Sequence, residues 1–111
     1  MTTVFGKIIR GELPSEKIFE NERILVIKDK YPVATVHLLL MPKKEIATLQ
    51  ALSSEDLPLI TEIVTLAQKL AEEFGIAEGY RLVTNSGEEA GQTIFHLHFH
   101  LIGGRRLFHL A

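Results

Sequence analysis

Three of the five histidines recur at every second position of one segment, Phe95-His96-Leu97-His98-Phe99-His100-Leu101, and the residues between them are apolar. Imidazole has the unperturbed pKa closest to neutrality, so near pH 7 it can serve as base, acid, nucleophile or metal ligand. Strict alternation has the period of a β-strand, whose successive side chains point to opposite faces. It predicts that His96, His98 and His100 share one face, with Phe95, Leu97, Phe99 and Leu101 on the other. At a rise of ~3.3 Å per residue, neighbouring histidines would stand ~7 Å apart and the outer two ~13 Å.

Such a row has three readings. In the first, the histidines are polar residues on the solvated face of a half-buried strand. In the second, two of them join His37, from another strand, around one metal ion with a water as fourth ligand. The length of the row keeps all three from meeting one ion, and neither an HExxH helix nor a cysteine pair supports such a centre. In the third, one imidazole is a nucleophile. A partner on its second nitrogen holds the tautomer, and flanking histidines move protons or stabilise phosphoryl charge. Gly91-Gln92-Thr93, just upstream, suits this chemistry, because backbone amides and the Thr93 hydroxyl can meet phosphate oxygens.

The surrounding pattern predicts the elements that would position this row. Val4, Phe5, Ile8 and Ile9 suit a short amphipathic helix stopped near Gly11. Lys17 to Glu20 and Ile24 to Lys28 read as strands joined by a polar turn at Asn21-Glu22-Arg23. Thr35 to Met41 is a third strand, carrying His37 and ended by Pro42. A long helix starts near Ser53-Ser54-Glu55-Asp56, where Ser53 and Asp56 have capping-box spacing. Its expected buried stripe is Leu57, Ile60, Val64, Ala67, Ala71 and Phe74, with Ile63 and Leu70 beside it. Tyr80 to Asn85 is a fourth strand, and Thr93 to Gly103 the histidine strand. Consecutive strands without intervening helices argue for an α+β fold with an antiparallel sheet and the helix on one face. The histidines would then look away from the long helix.

Composition adds exclusions. The 111 residues suit one domain spanning 1–111, and the net charge of -2 gives no general grip on nucleic acid or an anionic membrane. With no cysteine there is neither a disulfide framework nor a thiolate metal site. The apolar runs fall short of a membrane span, and the N-terminus lacks the layout of a signal peptide. A cytoplasmic address is the expectation.

His96-x-His98-x-His100 followed by two apolar residues resembles the signature of the histidine triad (HIT) family of nucleotide hydrolases and transferases. Further stretches resemble its Hint branch, the purine nucleoside phosphoramidases: Phe5-Gly6-Lys7-Ile8-Ile9-Arg10, Lys28-Asp29, and His37 to Pro42-Lys43-Lys44. So do Gly79-Tyr80-Arg81-Leu82-Val83, Asn85-x-Gly87, Gly91-Gln92-Thr93 and Gly103-Gly104-Arg105. The resemblance implies a HIT-like fold of about five strands, one long and one short helix, and a sheet extended across a two-fold homodimer. It implies cleavage of the P–N bond of nucleoside 5′-phosphoramidates through a nucleotidyl-histidine, releasing a purine nucleoside monophosphate without metal or cofactor. Hydrolysis of dinucleoside polyphosphates, or nucleotide binding with little turnover, are its alternatives.

Residue by residue, the resemblance makes His98 the nucleophile and His100 a contact to the phosphate and bridging atom. The His96 carbonyl would orient the nucleophile, and His37 would complete a proton network behind His96. Asn85, Gly91, Gln92 and Thr93 would meet the phosphate or leaving group. Asp29 would hold the ribose hydroxyls, and Phe5, Ile8 and Ile27 would surround the base. The tail, Leu107 to Ala111, departs from the branch's tryptophan- and proline-containing ending, so leaving-group contacts are expected to differ.

Overall fold

The structure is a computed structural model and describes residues 3–110. Met1 and Thr2, in the stretch read for targeting signals, and Ala111, the end of the tail, lie outside the described residues.

The short helix α1 spans Val4–Ile9. Thr3 caps it, its hydroxyl accepting the Gly6 N–H at 3.0 Å. Six residues do not hold a helix in water alone. Packing of Phe5 and Ile8 on Leu25, Ile27, Leu39 and Met41 of the sheet stabilises it. The strands are β1 (Lys17–Glu20), β2 (Ile24–Lys28), β3 (Val36–Pro42), β4 (Tyr80–Val83) and β5 (Phe99–Gly103). They form one sheet in the order β1-β2-β3-β5-β4, every neighbouring pair antiparallel.

The long helix α2 spans Leu57–Glu73 and is preceded by a 3-10 turn at Ser54–Asp56. The expected capping residues are present: Asp56 Oδ2 accepts the Ser53 N–H at 3.1 Å. The other Asp56 oxygen takes the Lys44 ammonium at 2.6 Å, and this contact, more than the Ser53 bonds, holds the carboxyl below its usual range. The buried stripe is Ile63, Leu66, Ala67, Leu70 and Ala71. It is turned from the predicted one, because Leu57 and Val64 are 53% and 40% exposed. Leu66 takes the place that Val64 was expected to hold. The helix packs on Ile24, Val26, Leu38, Leu40, Leu97, Phe99 and Leu101. The sheet thus carries α2 on one face and α1 on the other.

The histidine segment is the main departure from expectation. Only Phe99–Gly103 is strand, and residues 94–98 are irregular. Pro42, the last residue of β3, has no N–H to extend the ladder, so pairing with β5 ends at Leu40 and Phe99. Leu97 N–H turns instead to Ile46 O at 2.7 Å. On the other side β4 ends at Val83, and the Thr84 hydroxyl donates to His98 O at 2.6 Å. A backbone carbonyl and a side-chain hydroxyl thus replace the missing ladder bonds. Phe95 therefore leaves the core face and is 42% exposed, while Leu97, Phe99 and Leu101 remain on it.

Candidate active site

Strand register brings two of the four central histidines together. Across β3 and β5, Leu39 faces His100 and His37 faces Ile102, all on the face away from α2. The ring centroids of His37 and His100 are 5.2 Å apart, as are those of His98 and His100. Because residues 94–98 curl rather than extend, the third ring of the row behaves differently. His96 is 2% exposed and its Nε2–H donates to the Pro42 carbonyl at 2.7 Å. It anchors the turn from beneath instead of facing a ligand.

The same curl places the His96 carbonyl 2.7 Å from His98 Nδ1. A carbonyl only accepts, so Nδ1 carries the proton and Nε2 keeps its lone pair. Phe5 stands edge-on to the His98 ring, centroids 4.8 Å apart. Burial lowers the His98 pKa below the free imidazole value, with the His96 ring adding to the effect. The His96 carbonyl and Asp29 oppose the shift. His98 is thus a neutral, oriented imidazole with one free nitrogen.

His37 stands behind His100, not behind His96 as expected. Its Nδ1 accepts the Val33 backbone N–H at 3.1 Å, so its proton is on Nε2. That Nε2 lies 2.9 Å from His100 Nδ1 and 3.2 Å from Asp29 Oδ2. Burial lowers the His37 pKa, partly offset by Asp29. Burial and then the neighbouring His98 and His37 push His100 down to about 4.

One ligand atom each from Asp29, His37 and His100 lie within 4.8 Å of one another, a spacing that could hold a cation. The tautomer argues otherwise. A metal needs the His37 Nε2 lone pair, which would move the proton to Nδ1 and set it against the Val33 N–H. These residues fit a hydrogen-bonded network better than a metal centre.

The remaining candidates divide. Asp29 follows β2, with Oδ1 accepting the Tyr31 N–H at 2.7 Å. Asn85 is half-buried, and among the described residues its amide makes no hydrogen bond. Thr93 is exposed. Gln92, by contrast, is buried and already engaged. Its Oε1 accepts the Gly87 N–H, and its Nε2 donates to Ala47 O and Ile94 O, at 2.8, 2.8 and 3.0 Å. It shapes the loop rather than offering its amide to a phosphate. Gly91 has φ 94, a backbone requirement in itself. Ile8 and Ile27 are buried within the α1 cluster, and Phe5 of the same cluster stands against the His98 ring.

Sequence patterns did not show Val33, whose part is played by a backbone N–H, nor the Pro42 carbonyl. Thr84, beside Asn85, was readable only as one more strand residue. The tail folds back by Arg81 Nη1 donating to His109 O at 3.1 Å, and Arg106 lies over the Phe108 ring at 5.5 Å. Among the described residues, no helix is long and apolar enough to cross a membrane.

Comparison with known proteins gives the family and the fold. Residues 2–107 match the family model described as scavenger mRNA decapping enzyme, C-terminal binding. An uncharacterized HIT-like protein of Chlamydia muridarum is 50% identical over 111 residues, 100% of this chain and 88% of that protein. A HIT family hydrolase from Clostridium thermocellum superposes with a TM-score of 0.92 at 48% identity, covering 97% of this chain and 95% of that one. A histidine triad nucleotide-binding protein from Candida albicans gives 0.82 at 30% identity, covering 99% and 84%. The chain belongs to the histidine triad family and has the fold of its hydrolases and nucleotide-binding members.

Proposed function

We propose that this protein hydrolyses nucleoside 5′-phosphoramidates, releasing a purine nucleoside monophosphate through a nucleotide bound covalently to His98. One observation carries the reading: the 2.7 Å contact of His98 Nδ1 with the His96 carbonyl, which leaves Nε2 free beside His100. In the first step the Nε2 lone pair forms a bond to phosphorus. The P–N bond breaks, and its electron pair leaves with the amine, which takes up a proton. The His98 ring becomes cationic, and the His96 carbonyl stabilises that charge. Water then attacks phosphorus and gives up a proton, replacing the one the amine took up, and the P–Nε2 bond returns its pair to His98. In this reading the Asn85 amide and the Thr93 hydroxyl make phosphate-side contacts, and Asp29 holds the ribose.

The reading includes a homodimer. β4 is an edge strand, and Leu57 and Val64 leave apolar surface on α2.

The test is a comparison of initial rates on an adenosine phosphoramidate and a dinucleoside polyphosphate, with and without chelator. The phosphoramidate is expected to be the better substrate; the reverse preference replaces this reading with a polyphosphate hydrolase. Activity is expected to survive dialysis against a strong chelator, with zinc well below one per chain by elemental analysis. Loss on chelation, restored by zinc, would install a metal centre instead.

The pH profile has a defined sign. Protonation of Nε2 removes the attacking lone pair, so the rate falls as pH drops through the His98 pKa. Burial places that pKa below 6.5. The acid limb of kcat/KM is therefore expected below the midpoint of a free imidazole, with full activity retained at pH 7. A limb centred above 6.5 would contradict a buried neutral nucleophile.

A further inference from the structure

Behind the site, three hydrogen bonds run in series through the loop residue Val33, and no substrate contact requires them. Arg105 Nε, just past β5, donates to the Val33 carbonyl at 2.9 Å. Val33 N–H donates to His37 Nδ1 at 3.1 Å, and His37 Nε2 lies 2.9 Å from His100 Nδ1. The two backbone groups of Val33 are thus held at opposite ends, by a cation and by an imidazole.

We infer that Arg105, acting through Val33, is a positioning residue that sets the tautomers of His37 and His100. The steps follow from donor and acceptor inventory. The Val33 N–H obliges His37 Nδ1 to accept, so His37 carries its proton on Nε2. That N–H lies between Asp29 Oδ2 at 3.2 Å and His100 Nδ1 at 2.9 Å; a second N–H facing it at 2.9 Å would clash, so His100 Nδ1 accepts and the neutral His100 carries its own proton on Nε2. Among the described residues, His100 Nε2 has no protein partner. A donor is thereby presented next to the His98 ring, whose free nitrogen is an acceptor. The opposite tautomer of His100 would turn a lone pair toward the phosphoryl oxygens and repel them.

The loop needs this tether. Residues 29–35 contain no helix or strand, and a cavity of about 230 Å³ lies against Asp29, Pro32, Thr35 and His37. Packing alone leaves room for the loop to shift. Val33 has its side chain in solvent, so its backbone bonds, not burial, fix its N–H. Arg105 Nη1 also donates to the Arg106 carbonyl at 2.8 Å, which holds the guanidinium in place.

The inference rests on the proposed hydrolase reading only for its effect on rate, so the experiment has two readouts. Long-range proton–nitrogen NMR correlation on the free protein reports which ring nitrogen of each histidine is protonated. In the wild type at pH 7, His37 and His100 are both expected to be protonated on Nε2. Arg105→Ala is expected to mix the His37 tautomers and lower kcat roughly tenfold, less than the ~100-fold of a full 1 Å misplacement. KM should change less than kcat, and Arg105→Lys, which keeps one donor, should recover part of both signals. A wild-type His37 protonated on Nδ1 overturns the inference without any variant. So does Arg105→Ala with unchanged tautomers and unchanged kcat. If the tautomers respond as expected but no phosphoramidate is cleaved by any form, the tether stands and the hydrolase reading fails.

Discussion

His98→Ala is expected to abolish turnover, by ~10³-fold or more, which is at least about 4 kcal/mol of transition-state stabilisation. No other ring can take over. His96 has its Nε2–H committed to the Pro42 carbonyl and is buried. His100 has its Nδ1 against His37, and its free nitrogen carries the proton if the tether works as inferred. Nucleotide affinity should largely survive, since Asp29, Asn85 and Thr93 are untouched. Fold stability should fall only modestly, because the His98 side chain makes one hydrogen bond, an edge contact to Phe5 and a tilted contact to His100. The measurement is single-turnover cleavage of an adenosine phosphoramidate, with product affinity by calorimetry and thermal unfolding as a control. Acid-quenched wild-type protein should also carry nucleotide on one histidine, and the variant none. Near-normal turnover by His98→Ala would reject the assignment.

The alternation of residues 95–101 marked the histidine cluster but misdescribed its shape. A period of two assumes a continuous ladder, and under that assumption three equivalent rings would face one cleft. The ladder fails because Pro42 lacks the N–H that the next pair requires, and Thr84 and Ile46 supply the replacement bonds. That local failure creates the bend in which the His96 carbonyl meets His98 Nδ1. Pro42 was legible as a strand end on its own segment. Its effect on a strand more than fifty residues away became visible only once β3 and β5 were paired. The helix shows a similar limit. Its period was clear, but Leu57 and Val64 satisfy the periodicity nearly as well as Leu66, and a solvated first turn cannot be told from a buried one by spacing. Gln92 marks a third limit. Its sequence neighbourhood matched a phosphate contact, yet a buried amide must satisfy its own bonds first, and the loop's backbone supplies them. Two of the three groups found late, the Val33 N–H and the Pro42 carbonyl, belong to the backbone and carry no residue signature at all.

Asp29→Ala is expected to weaken a ribonucleotide roughly tenfold to a hundredfold more than the matching 2′-deoxynucleotide, a difference of about 1.5–3 kcal/mol, typical of hydrogen bonds to a charged group. A carboxylate offers about four acceptor positions. Asp29 spends one on the Tyr31 N–H at 2.7 Å and approaches His37 Nε2 at 3.2 Å, so capacity remains for ribose hydroxyls. Those same contacts mean that removing the side chain also loosens the loop carrying Val33, and that cost falls on both nucleotides alike. The difference between the two sugars isolates the ribose term from the loop term. Asp29→Asn sharpens the comparison, because the amide oxygen can still receive the Tyr31 N–H while the charge is lost. Asp29→Asn is expected to keep most of the deoxynucleotide affinity and still lose much of the preference for ribose, measured by titration of the two monophosphates. If both sugars weakened equally in both variants, Asp29 would be a loop anchor and the ribose would be held elsewhere.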